Sequence, residues 1–408
     1  MTGFVPEMGA MEPLLWLLLP VAAASGWITA RLSAGNRGRS RNREGQSAFS
    51  EHCLQGLNYL LSEQSDKAIN LLVDLVDVDE DTVETHLVLG SLFRRRGEVD
   101  RAIRIHQNII ARPSLSPEQK ANALQQLGID YLKAGLLDRA ENIFLKLSDT
   151  GKNQEEAYRY LTSVYEQEKE WNKAVDAAVR HQKSGGASQH VRIAHYHCEL
   201  VEEYVKTSKV EAAVAEAEQA LLVDPDCIRA HIQAGDIQLS KGNFTAAVKR
   251  YRKALAIDRH FSPVVLNRLY KTFARAGTLH DFPAFVRENA DCASDAAARY
   301  FLVRAYKDLG DEERLHALLY QEMKRDEVSP YIVLAYLEMM KEKTSGEIRT
   351  SFQSLEHTLD SRLGTYMACH CTHCGFESNL IFWQCPGCQH WGTVRPHQNP
   401  VEYSWLDS

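Results

Sequence analysis

Residues 87–110 read LVLGSLFRRRGEVDRAIRIHQNII, and the spacing inside this stretch decides the fold. Gly90 is followed twelve positions later by Ala102, Phe93 stands three after the glycine, and the turn RGEVD (96–100) lies between them. Apolar residues at helical spacing on either side of a glycine-bearing turn predict two helices folded back on each other. The register recurs along the chain. Gly56 pairs with Ala68, Gly128 with Ala140 and Gly235 with Ala247, while Thr162 with Ala174 and Val201 with Ala213 continue it with a larger first residue. Gly56 and Gly90 are 34 apart, Gly90 and Gly128 are 38 apart, and Ala213 and Ala247 are again 34 apart.

An aromatic often stands three after the first position (Tyr59, Phe93, Tyr131, Tyr165, Tyr204), and an apolar residue four after the alanine (Leu72, Phe144, Ala178, Ala217, Tyr251). A period of 34 residues with these types is that of the tetratricopeptide repeat, two antiparallel helices per unit. Close helix crossings leave room only for small side chains at the contact, and the aromatics fill the space to the next pair. Six repeats are readable between residues 48 and 260, and degraded ones continue at Tyr270–Phe282, Val303–Leu315 and 331–359. The expected fold is all-α: a superhelical repeat solenoid whose concave face suits a protein or peptide segment.

Nine cysteines are present, and five of them crowd into CHCTHCGFESNLIFWQCPGC, residues 369–388. Cys371-Thr-His-Cys374 and Cys385-Pro-Gly-Cys388 are two C-x-x-C pairs separated by ten residues. Two such knuckles facing each other present four thiolates tetrahedrally, which suits one zinc or iron ion. Gly375 and Gly387 are expected at positive-φ positions of the two turns. Cys369, His370 and His373 are spare donors, and iron against zinc stays open. A module this small has little core, so the ion is expected to hold it folded, with Phe376, Phe382, Trp383 and Trp391 packed round the site or docked on the last helices. Cys53, Cys198, Cys227 and Cys292 stand apart in sequence and read as buried small hydrophobes.

At the other end, residues 13–30, PLLWLLLPVAAASGWITA, carry no charge. As a helix they would span roughly 27 Å, close to a bilayer's hydrocarbon thickness. Trp16 and Trp27 mark the two interfaces, and Arg31, Arg37, Arg39, Arg41 and Arg43 come next. A cleaved signal peptide would want basic residues before the apolar run, where only Glu7 and Glu12 are charged. The arginines keep the chain beyond the apolar run in the cytoplasm. The expected order is a short outward-facing N-terminus (1–12), a transmembrane helix (13–32), a basic tether (33–46), tetratricopeptide repeats (47–362), a four-cysteine metal-binding domain (363–398) and a tail (399–408). Met8 and Met11 are alternative starts.

With the anchor, LVLGSLFRRRGEVDRAIRIHQNII, CTHCGF and WQCPGCQHWGTVRP in view, the chain resembles the lipopolysaccharide assembly protein B family of Gram-negative bacteria over Met11–Pro396. The resemblance implies an inner-membrane protein, single-pass, with the bulk of the chain on the cytoplasmic side. It implies a regulator of lipopolysaccharide synthesis, an adaptor that presents the committed-step deacetylase of lipid A synthesis to the membrane AAA protease FtsH, opposed by a membrane sensor of the same pathway. It makes residues 1–12 periplasmic and 363–398 a rubredoxin-like metal-binding domain, and it carries the family's metal cysteines onto Cys371, Cys374, Cys385 and Cys388, one ion in a four-cysteine site. Lipopolysaccharide itself is a further candidate ligand, and exposed repeat faces leave room for a homodimer.

The net charge of −7, from 54 acidic and 47 basic residues, argues against nucleic acid as partner. No phosphate-binding loop, dinucleotide fingerprint, H-E-x-x-H or G-x-S-x-G occurs, and a filled four-cysteine site leaves no open position for substrate, so an enzyme is not expected. His190, His195 and His197 read as ordinary helix residues rather than a catalytic set. The alternative is a one-electron redox protein with an iron centre held by four sulfurs.

Overall fold

A computed structural model describes residues 83–150, 153–290, 295–326, 328–363 and 368–397. The 13–32 span, the 33–46 tether and the Gly56–Ala68 repeat lie outside the described residues. Among the described residues no helix is long and apolar enough to cross a membrane. The chain divides into two compact units, Met1–Lys152 and Asn153–Ser408.

The described residues of the first unit form two helical hairpins, α1 (Val83–Arg95) with α2 (Val99–Ile110) and α3 (Pro117–Lys133) with α4 (Leu137–Asp149). Ser116 and Gln119 form a reciprocal capping box ahead of α3, with Pro117 at its first turn. Inside, His106 Nδ1 lies 2.5 Å from Asp130 Oδ2, and Arg94 holds the other carboxylate oxygen at 2.7 Å.

The second unit continues with α5 (Gln154–Glu168), α6 (Trp171–Lys183), α7 (His190–Lys206), α8 (Val210–Val223), α9 (Ile228–Ser240) and α10 (Phe244–Ile257). Pro225 lies just beyond the end of α8, where the repeat register stops the helix. The degraded repeats also form helix pairs: α11 (Ser262–Arg275) with α12 (Phe282–Asn289), α13 (Ala296–Leu309) with α14 (Glu312–Glu322), and α15 (Pro330–Lys343) with α16 (Glu347–Leu363). A three-stranded antiparallel sheet comes last, β1 (Cys369–Cys371), β2 (Glu377–Ser378) and β3 (Val394–Pro396), in the order β2-β1-β3. Cys369 pairs with Ser378 on one side and Pro396 on the other.

The hairpin contacts explain the repeat pattern. Ala102, Ala140, Ala174, Ala213 and Ala247 are fully buried. A Cβ added at Gly128 would lie 2.6 Å from the Phe144 ring, and one at Gly235 2.4 Å from the Tyr251 ring. The residue four after the alanine therefore fills the space above the glycine. Where that residue is small, Ala178 or Ala217, the first position is large, Thr162 or Val201, and all four are buried. Each hairpin closes on a fixed volume that the two positions share, as dense packing requires.

Candidate metal centre and its seat on the repeats

Each knuckle is a tight turn closed by backbone hydrogen bonds. The Cys371 amide donates to the Phe376 carbonyl (2.7 Å), and Gly375 donates to the Cys371 carbonyl (2.9 Å). The second knuckle repeats this: Cys385 donates to His390 (2.9 Å), and Gln389 donates to Cys385 (2.8 Å). The residue after the second cysteine takes positive φ in both, Gly375 at 74° and Gln389 at 59°. Gly387 does not, against expectation. It lies instead under the sulfurs, where an added Cβ would sit 3.4 Å from Cys374 Sγ.

The turns bring four sulfurs to one point. Cys371 and Cys388 Sγ are 3.8 Å apart, Cys374 and Cys385 Sγ 3.6 Å, and all four lie within 4.8 Å of one another. A tetrahedral ion with metal–sulfur bonds near 2.3 Å needs sulfurs about 3.8 Å apart. The donor set therefore fits one ion, of zinc or iron type. Burial works to raise the Cys371 thiol, but the Thr393 hydroxyl 3.3 Å away and the amides of His373 and Cys374 outweigh it and bring it down to about 6. The Phe376 amide works to lower Cys374, yet burial and the thiols of Cys371, Cys385 and Cys388 push it up to about 12. Four thiolates this close repel one another until a cation binds among them. Cys369 is outside the cluster; it is buried in the sheet, and burial pushes its thiol up to about 12.

Phe376 and Phe382 pack against the core of this small ribbon, while Trp383 and Trp391 seat it on the helices. The seat is the middle of the second unit, not its last helices. Trp391 stacks on His195 of α7 at 5.2 Å and meets Tyr196 and Trp171 edge-on at 5.8 and 6.2 Å. Its indole N–H donates to Glu166 of α5 at 2.8 Å, and Glu166 also accepts from Tyr196 (2.6 Å) and pairs with Arg192 (2.6 Å). Trp383 lies flat on Phe261, 5.6 Å away with planes 5° apart, and the Arg229 guanidinium stands 5.6 Å from its ring. Arg395 pairs with Asp258 at 2.7 Å. Against the penalty of burial, the His260 amide and Arg395 hold the Asp258 carboxyl below its ordinary value. Burial, with Arg229 nearby, brings His195 down to about 3 and keeps its imidazole neutral.

The rubredoxin metal binding domain model matches residues 370–396, and tetratricopeptide repeat models match 85–118 and 198–260. Lipopolysaccharide assembly protein B of Escherichia coli (strain K12) is 33% identical over 386 residues, covering 95% of this chain and 98% of the relative. That of Haemophilus influenzae is 30% identical over 398 residues, covering 95% and 99%. This chain belongs to the lipopolysaccharide assembly protein B family. Among solved structures, a MamA protein is 25% identical and covers 45% of this chain and 94% of its own, with a TM-score of 0.32.

In this member of the lipopolysaccharide assembly protein B family, the four expected cysteines converge, and His190, His195 and His197 form no common site. His195 is buried under Trp391, His197 pairs with Glu216 at 2.6 Å, and His190 is exposed beside Ser188. Glu166, Arg229, Asp258 and Phe261, which seat the ribbon, carry no motif. Cys198 and Cys227, far apart in sequence, are both buried with sulfurs 4.0 Å apart. Cys53 and Cys292 lie outside the described residues.

Proposed function

We propose that this chain is a membrane-anchored adaptor that regulates lipopolysaccharide synthesis on the cytoplasmic side. Its groove receives a protein segment, and its partners are the lipid A pathway deacetylase, the FtsH protease that degrades it and the membrane sensor that opposes this. The names of the relatives support the pathway, and the repeats support binding rather than catalysis.

The observation that carries the reading is the ribbon's seat. It rests on α5, α7 and α9, the first helices of successive hairpins, and on Trp171 and the Asp258–Phe261 turn, and leaves a cavity of about 320 Å3 beside it, with Val201, Ile232 and Ile237 as apolar lining. Glu202 and Arg268 add charge to the lining, and Trp383 of the ribbon contributes to it. A bound ion would crosslink the two knuckles through Cys371, Cys374, Cys385 and Cys388. The residues of the ribbon do the rest: Trp383 and Trp391 hold it in register with α5, α7 and α9 so that the cavity keeps its shape.

Purified full chain in detergent, loaded with metal, is expected to retain the deacetylase and the protease together on an affinity resin. Failure to retain either removes the adaptor reading. The exposed position of residue Cys374 at the ribbon's edge favours a second reading, an iron centre open to electron transfer. Exchange of iron for zinc separates the two: partner retention that survives the exchange assigns the ion a structural role.

A further inference from the structure

On the solvent side of the ribbon, three donors meet that the four-cysteine arrangement does not use or only half uses. His373 from the first knuckle, and Cys388 and His390 from the second, each place one ligand atom within 4.8 Å of the others. The two imidazoles are exposed, with ring centroids 3.9 Å apart and planes tilted by 33°. His390 Nδ1 lies 3.0 Å from the Cys388 carbonyl. A carbonyl only accepts, so that nitrogen donates, and the lone pair of the neutral ring sits on Nε2. This is the outer-shell contact that usually fixes the tautomer of a metal-binding histidine.

We propose that His373, His390 and the Cys388 thiolate form a second cation site on the outer edge of the ribbon, selective for a borderline divalent ion such as zinc. Two imidazole nitrogens and a thiolate suit zinc or nickel, not the all-oxygen preference of magnesium or calcium. A thiolate bound to one ion keeps further lone pairs, so Cys388 bridges the ion held by the four cysteines and the second one. The two sites differ in kind. Four sulfurs close the first, whereas three protein donors at the surface leave the second an open position for water or for a ligand from another molecule.

The test uses the purified full chain, dialysed against buffered free zinc, with metal and protein measured on the same sample. About two zinc ions per chain are expected, falling to about one in the His373→Gln, His390→Gln double variant. Both histidines are exposed, so the variant is expected to fold. Cobalt substitution checks this, because the intense thiolate absorption of the ion held by the four cysteines must persist in the variant. About one ion per chain in the unaltered protein overturns the proposal. So does a second ion that survives in the double variant, since other surface histidines would then hold it.

Discussion

Trp391 donates its indole N–H to Glu166 across 2.8 Å, joining residues 225 positions apart in the chain. Glu166 is already engaged by Arg192 and Tyr196, so the indole docks on a pre-set carboxylate. Burial and the Glu166 charge push the Tyr196 phenol well above its ordinary range, which keeps it a donor. Trp391→Phe retains an aromatic ring on His195 and loses the hydrogen bond, a cost of about 1.5–3 kcal/mol with a charged acceptor, together with part of the indole's packing. Trp391→Ala also empties the seat, a cost of roughly 3–5 kcal/mol. Amide exchange over residues 368–397 is expected to quicken modestly in the first variant and strongly in the second. Equal rates in both would place the docking energy elsewhere.

Metal removal should act locally. Cys385 is fully buried among the four sulfurs, whereas the helices bury their own alanine and aromatic contacts without reference to the ion. Cys385→Ser is expected to lose the ion and open residues 368–397 to protease while far-ultraviolet dichroism retains its helical amplitude. Loss of the helical signal with the ion would show that the ribbon supports the repeats.

Acid should release the ribbon before it unfolds the helices. His195 has its pKa lowered from 6.5 to about 3, by burial first and then by Arg229. The folded state therefore binds fewer protons than the unfolded one between these values. The stability this contributes is complete above about 6.5 and falls away as pH drops toward about 3. Asp258, with its pKa also lowered, adds loss only below its ordinary value of 3.8. Tryptophan fluorescence is expected to report undocking in the upper window, and His195→Phe to shift the transition to lower pH. Release of the ion also loosens the ribbon in acid, so the comparison is made at matched metal content. An unshifted transition in the variant would exclude His195 as the cause.

The parts of this architecture that were legible are those built from neighbours in sequence. Gly90 and Ala102 stand on the two helices joined by one turn, and Cys371 and Cys374 bound another, so spacing alone reveals them. The seat of the ribbon was not legible, because Trp383 meets Phe261 and Arg229, and Arg395 meets Asp258, only after the hairpins have stacked. The expectation for Gly387 failed for a related reason. The turn puts positive φ at Gln389, two residues later, and leaves Gly387 beside the sulfurs, where a Cβ would meet Cys374 Sγ at ordinary contact distance.

The shared volume inside each hairpin makes a prediction that plain helix propensity does not. In α3, Gly128→Ala gains helix propensity of about 1 kcal/mol. Its new methyl, however, would fall 2.6 Å from the Phe144 ring, which is itself fully buried. Overpacking of this kind costs about 1–3 kcal/mol, so the single variant is expected to be destabilised. Phe144→Ala removes the ring, leaves only Ile143 Cγ2 at 3.2 Å from the new methyl, and opens a space that, unlike the one under Thr162 and Ala178, no side chain at the first position fills. In that background the same Gly128→Ala change is expected to stabilise, reversing its sign. Urea unfolding of the four proteins of this cycle measures the coupling. An identical cost for Gly128→Ala in both backgrounds would mean that the glycine is needed for its backbone and not for the space it leaves.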